Sequence, residues 1–367
     1  QLPGDTVADA SGGSLGVYLL DGARYVVQRT HQVAKIFGSV TGSVDYRTTL
    51  NVSLGSIAGP HDGSSITECA LAEMGDDPRV RIVLAAGNTA GNRIHAVRRV
   101  AMGMPWRLDM LLPADNPRES YVEIWLPAES ALPDDFSVEV TAPDGTCSGP
   151  VNVGQVAMLG SAGNALACLV FARAVAQGTR GTMVLLAVRA TGQADAESAP
   201  YGCWSIDVST TLGRPVPVHA WVERNDLIVG RRRPQQTRFV DDGSGCIDDD
   251  CTLSSVANGA NVTVVGAYRR RERAESDYCA HGPVLHQTCL DRPEYYAPGD
   301  ESASLRGLAL PGFFSGTWRR VSGTSVAAPF VTRWIAMGRP TIQECTVTTR
   351  EGRVVAGIRP EDDDQGY

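Results

Sequence analysis

The chain has 367 residues, 43% hydrophobic and 20% charged, a composition that can bury one large core or two domains and that argues against disorder. Its 41 acidic against 33 basic residues leave a net charge of −8, which excludes nucleic acid as the main partner, because phosphate binding needs concentrated positive charge. No run approaches 18 unbroken apolar residues, so no membrane span is expected.

In chain order, residues 1–16 read as weakly structured, and the start at Gln1 without a signal-like segment suggests a fragment or a processed product. Val17–Phe37 places Leu19, Ala23, Val26, Val27 and Val33 at roughly helical spacing and is expected to be an amphipathic helix, with His31 on its surface. Thr48–Gly55 is a short β-rich strand ending in glycine. A glycine-rich loop follows with His61 and Asp62, whose adjacency makes them unsuited to act as a dyad, and then a helix runs through Met74. Arg81–Gly91 is a β-branched strand running into Ala85-Ala86-Gly87-Asn88.

The texture then changes. Eight short segments recur between turn signals: Trp106–Leu112, Tyr121–Leu126, Ser137–Thr141, Val153–Leu159, Leu166–Ala172, Thr182–Val188, Cys203–Val208 and Val216–Val222. Short strands at this spacing predict an all-β sandwich, and eight suit a jelly roll. The loop Asp241–Asp250 carries enough carboxylates for calcium, but its spacing fits no calcium loop, and it reads as solvated. Nine cysteines in a chain of this size suggest an oxidising compartment, secreted or at the cell envelope, with local bridges between Cys246 and Cys251 and between Cys279 and Cys289. No cysteine or histidine spacing suggests zinc, so no metal and no cofactor are expected.

A buried strand, Val262–Tyr268, follows, and then Ser276–Pro283 and Tyr296-Ala297-Pro298-Gly299. The string Ser322-Gly323-Thr324-Ser325-Val326-Ala327-Ala328-Pro329 next sets a serine at the start of an apolar helix. Unpaired N–H groups and the helix dipole favour negative charge there, which makes Ser325 a candidate nucleophile. The tail shows one strand-like run, Gly352–Ile358, before a frayed acidic end at Glu361–Asp364.

The Ser325 string resembles the nucleophile motif of the subtilisin-like serine proteases, the subtilases. The resemblance implies an Asn88 that donates to the developing oxyanion, since a neutral amide N–H₂ can point at that oxygen without ionising. It also implies that the strand ending Ser53-Leu54-Gly55 pairs with an extended peptide, with Ala86, Gly87 and Thr324 as further substrate-contacting positions. In family terms Ser276–Pro283, including His281, is a structural turn, and Tyr296–Gly299 is the turn before the nucleophile. The β-block between Asn88 and Ser325 resembles the jelly roll that interrupts the clostridial germination proteases. The expected fold is therefore α/β: a mainly parallel sheet flanked by helices, incomplete at its N-terminus, with an inserted all-β sandwich. Residues 1–101 form the first part of the catalytic domain, 102–225 the insert, 226–338 the second part and 339–367 a tail.

One departure stands against these matches. The family's aspartate turn and histidine helix start precede the Asn51-Val52-Ser53-Leu54-Gly55 strand, and neither motif is present; Asp5-Thr6 is followed by Val7, and His31, His61, His95, His219, His281 and His286 all lie in other strings. The resemblance implies a serine endopeptidase acting on peptide or protein substrates, inactive as residues 1–367 because its aspartate and histidine lie upstream. The alternative is a catalytically dead scaffold used in signalling or binding. An esterase or acyl transferase is weaker, because a strand-like cleft suits an extended peptide.

Overall fold

The structure, a computed structural model, describes residues 15–42, 44–127, 133–161, 164–172, 181–192, 198–225, 236–285, 292–338 and 344–358. The expectations for residues 1–14, for His286 and Cys289, and for the acidic end fall outside these residues.

Helix α1 spans Gly16–Thr41, slightly longer than the periodicity predicts. Leu19, Ala23 and Val27 face the core as expected, whereas Val26 and Val33 are exposed. Strand β1 (Thr48–Val52) stops before Ser53-Leu54-Gly55, and helix α2 (Ile66–Gly75) follows. Ser65 starts α2 with a capping box: its hydroxyl accepts from the Glu68 N–H, and the Glu68 carboxylate reaches back to the Ser65 N–H. Strand β2 is Val80–Ala85.

Eleven antiparallel strands come next among the described residues. They are β3 (His95–Val100), β4 (Trp106–Leu112), β5 (Ser120–Pro127), β6 (Phe136–Thr141), β7 (Val151–Asn152), β8 (Val156–Ser161), β9 (Asn164–Ala172), β10 (Gly181–Val188), β11 (Gly202–Thr210), β12 (Val216–Val222) and β13 (Arg238–Phe239). They form a six-stranded sheet in the order β3-β12-β5-β10-β9-β8 and a five-stranded sheet in the order β13-β4-β11-β6-β7. Alternate residues are buried, as in the Phe136, Val138 and Val140 face of β6, and Trp106, Trp204, Trp221, Phe136, Phe171 and Phe239 are fully buried. The predicted strand Val153–Leu159 starts too early, for residues 153–155 lie between β7 and β8, and β8, in the other sheet from β7, begins at Val156. A turn closed by the Gln155 N–H on the Asn152 carbonyl, with Gly154 at φ 79°, separates β7 from β8. Strands β3 and β13 extend this body beyond both ends of the 102–225 block read from the sequence.

The remaining elements are β14 (Thr263–Arg269), β15 (Ala274–Glu275), β16 (Tyr295–Asp300), the hairpin β17 (Leu308–Pro311) and β18 (Trp318–Val321), helix α3 (Thr324–Ala336), and the hairpin β19 (Glu344–Thr348) and β20 (Val354–Ile358). Tyr296–Gly299, expected as a turn, lies in a strand: Tyr296, Ala297 and Pro298 pair in parallel with β14, and the register shift after Tyr268 skips Gly299. With β1 and β2, strands β14, β15, β16, β19 and β20 make a seven-stranded sheet in which β1–β2, β2–β14 and β14–β16 pair in parallel, and the β17–β18 hairpin stands as a two-stranded sheet.

By packing the chain divides into two compact units, one containing Ser56–Pro60 and Asn92–Asp249, the other Ser14–Gly55, His61–Gly91 and Asp250–Tyr367. The second unit explains the apolar run of β2. Ile82 and Leu84 join the cluster under α1 and α2, while Val83 and Ala85 join Ala327, Ala328, Val331 and Ile335 of α3. A strand covered on both faces has no polar side to present. The expected bridge at Cys246 is not formed, since Cys246 is a free thiol, and Cys279 is another, buried where desolvation pushes its thiol well above the usual range.

Candidate functional site

Ser325 sits in the first turn of α3, behind Gly323 and Thr324. Gly323 has φ 135°, a region that L side chains rarely adopt, and a Cβ there would lie 3.1 Å from Asn88 Nδ2. The sequence thus keeps a glycine where the Asn88 amide needs the room. The Gly323 N–H donates to the Tyr278 hydroxyl at 2.8 Å, and burial holds that phenol well above its ordinary pKa, so it stays a neutral acceptor.

Asn88 follows β2 and is exposed. Its Oδ1 accepts from the Thr324 N–H at 2.9 Å and from the Thr324 hydroxyl at 3.0 Å. That hydroxyl also accepts from the Gly87 N–H at 3.1 Å, and Thr324 is fully buried. With its oxygen held twice, the amide cannot flip without losing both bonds, so its N–H₂ is committed to the opposite side.

Several predicted site residues are therefore brought together. Ser53 meets Ser325 twice: the Ser325 hydroxyl donates to the Ser53 carbonyl at 3.4 Å, and the Ser53 hydroxyl donates to the Ser325 carbonyl at 3.3 Å. Ser53, Leu54 and Gly55 follow the last paired residue of β1, with Ser53 and Gly55 exposed. Thr324 is fully buried, and its hydroxyl is engaged by Asn88 and by the Gly87 N–H. Ala86 is buried as well, and its N–H donates to the Val265 carbonyl while its own carbonyl accepts from the Ser254 N–H. Gly87 likewise spends its N–H on Thr324 and its carbonyl on Ala280, and φ 118° close to Ser254 and Ala280 explains the glycine.

The described histidines are engaged elsewhere. His31 bonds Tyr46 at 2.7 Å, His95 meets His219 at 3.1 Å, and His281 contacts Asp250 and Glu351. His61 is buried, and its neighbour Asp62 caps its own turn by accepting from the N–H and hydroxyl of Ser64. The proton of Ser325 thus faces a backbone carbonyl, which is no base. The pairing of Thr324 with Asn88 went unread in the sequence, although the threonine stands beside the serine; 236 residues separate the partners, and only the fold joins them.

No protein-family model matches the chain, and no curated protein matches it. Among solved structures it is similar to the Clostridium perfringens CspB protease, with a TM-score of 0.68 and 21% sequence identity over 88% of this chain. The match covers 60% of that protein, so the chain spans about 60% of its relative's length, and the two share a fold. No helix among the described residues is long and apolar enough to cross a membrane.

Proposed function

We propose that the chain carries the nucleophile half of a subtilase-type serine endopeptidase, with Ser325 as nucleophile and Asn88 as oxyanion donor. The observation that carries this reading is the doubly held Asn88 oxygen, which leaves a neutral N–H₂ donor preset beside the serine turn. In this reading Ser325 Oγ bonds to a peptide carbonyl carbon as its proton passes to a histidine. The carbonyl oxygen becomes negative and is held by Asn88 Nδ2 and the Ser325 N–H, and collapse expels the amine with that proton. Water then resolves the acyl-enzyme. Ser53–Gly55 are read as the edge on which an extended peptide pairs.

The histidine and its aspartate are assigned to a further segment of the same protein, because the described histidines bond other partners. The β-rich body is read as an inserted jelly-roll-like domain within an incomplete subtilisin-like one. A second reading, a scaffold without catalysis, draws on the Ser325 hydroxyl that donates to the Ser53 carbonyl. Fluorophosphonate labelling of residues 1–367 and of the longer protein separates them. Labelling only in the longer protein, lost in Ser325→Ala, is the expected result; no labelling in either supports the scaffold.

A further inference from the structure

A second cluster of chemistry-bearing side chains lies within the same unit and has no part in the Ser325 reading. His281 Nε2 is 2.9 Å from Asp250 Oδ1 and 3.2 Å from Glu351 Oε1, and the three ligand-type atoms all lie within 4.8 Å of one another. The imidazole is buried, while Asp250 is half-buried and Glu351 exposed, so the group opens to solvent on its carboxylate side.

We propose that Asp250, His281 and Glu351 form a binding site for a divalent transition ion of the zinc class. Two carboxylates converge on a single imidazole nitrogen, which carries at most one proton to share between them. A dication in place of that proton neutralises both carboxylates and takes all three atoms as ligands. Ligands about 2.0–2.2 Å from a tetrahedral zinc stand roughly 3.3–3.6 Å apart, near the 2.9 and 3.2 Å that separate His281 Nε2 from its two carboxylate oxygens. Calcium fits poorly, since it takes six to eight oxygens, whereas imidazole nitrogen suits zinc and its neighbours. Three protein ligands leave the fourth position to water.

The backbone presets the group. The Cys251 and Thr252 N–H groups donate to the Gly282 and His281 carbonyls at 3.2 and 3.1 Å, which lays the Asp250 segment beside the histidine. Glu351 projects from the β19–β20 turn, where the Gly352 N–H donates to the Thr349 carbonyl and Gly352 adopts φ 79°. Arg353 Nη2 lies 3.6 Å from the far oxygen, Glu351 Oε2, and leaves Oε1 to the site. Bound metal would tie the C-terminal hairpin to the loops around residues 250 and 281. The sequence hides this site because its ligands are 31 and 70 positions apart, outside any metal-loop spacing.

The test uses the full 367-residue chain, stripped with EDTA and titrated with Zn²⁺ by calorimetry and with Co²⁺ by visible absorption. Saturable binding of one ion is expected, together with a raised Tm and the ligand-field band of a four-coordinate Co²⁺. Glu351→Gln and His281→Gln should each weaken binding at least about tenfold. Glu351 is on the surface, so its variant keeps the test valid if the histidine variant misfolds. Because Cys69, Cys147 and Cys203 are exposed thiols, a triple serine variant serves as control and should keep the site. Absence of one-ion binding, survival of that binding in Glu351→Gln, or its loss in the triple serine variant would overturn the proposal.

Discussion

Asn88 and Thr324 show how the orientation of an exposed amide is set by hydrogen bonds to a buried neighbour. Thr324→Val keeps the shape but removes the hydroxyl, leaving the Gly87 N–H unpaired and the Asn88 oxygen with one bond fewer. A buried donor left unsatisfied costs about 1–3 kcal/mol, so thermal unfolding should show a lowered Tm. Under the proposed endopeptidase reading, Asn88→Ala should lower kcat by about 10²–10³ with KM little changed, the figure for the oxyanion asparagine of subtilisin, in a steady-state peptidase assay. A second residue-scale effect belongs to Glu68. Burial, the largest cause, raises its pKa from 4.5 to about 7, against hydrogen bonds from Ser65 and Asn258 that lower it. A raised folded pKa gives a contribution that is complete below the unfolded value and is lost as pH climbs through the folded one. From about pH 4.5 to 7 this group therefore makes the protein less stable as pH rises. Glu68→Gln should flatten that part of the stability profile in denaturant titrations.

At the scale of elements, β2 is the strand on which the unit depends, since both of its faces are covered. Leu84→Ala removes a fully buried side chain from the cluster under α1 and α2 and should cost about 2–5 kcal/mol, read as a lower denaturant midpoint. Asn88 lies three residues after β2 ends, and Ser325 opens the helix packed on its other face. Much of this was legible in the sequence. The apolar run of β2, the helix before Met74 and the Ser325 helix carry strong local patterns, because continuous apolar runs and caps reflect short-range geometry. Tyr296–Gly299 was not legible: proline and glycine are turn-formers by local preference, and parallel pairing with β14 overrides that preference. The start of β8 at Val156 rather than Val153 is similar, for alternation looks alike in a strand and in the tight turn before it.

For the whole molecule, the eleven antiparallel strands enclose their own aromatic core, with Trp106, Trp204 and Trp221 fully buried. We expect residues 92–249 expressed alone to unfold cooperatively and to give a near-UV circular dichroism signal from those tryptophans. A non-cooperative melt without that signal would count against an independent inserted domain. The similarity to the CspB protease spans 88% of the chain at 21% identity, a distance at which fold persists while the side chains of a site are free to change.

The sequence by itself determined the α/β and all-β blocks, the helix that presents Ser325 and the residue types suited to acyl transfer. These follow from periodicity and from neighbours a few positions away. Only the tertiary structure decided that Thr324 and Ala86 are buried supports, that Ser53 meets Ser325, and that Asp250, His281 and Glu351 converge. Each of those facts depends on residues far apart in the chain, whose approach is set by strand register and helix packing and leaves no local signature.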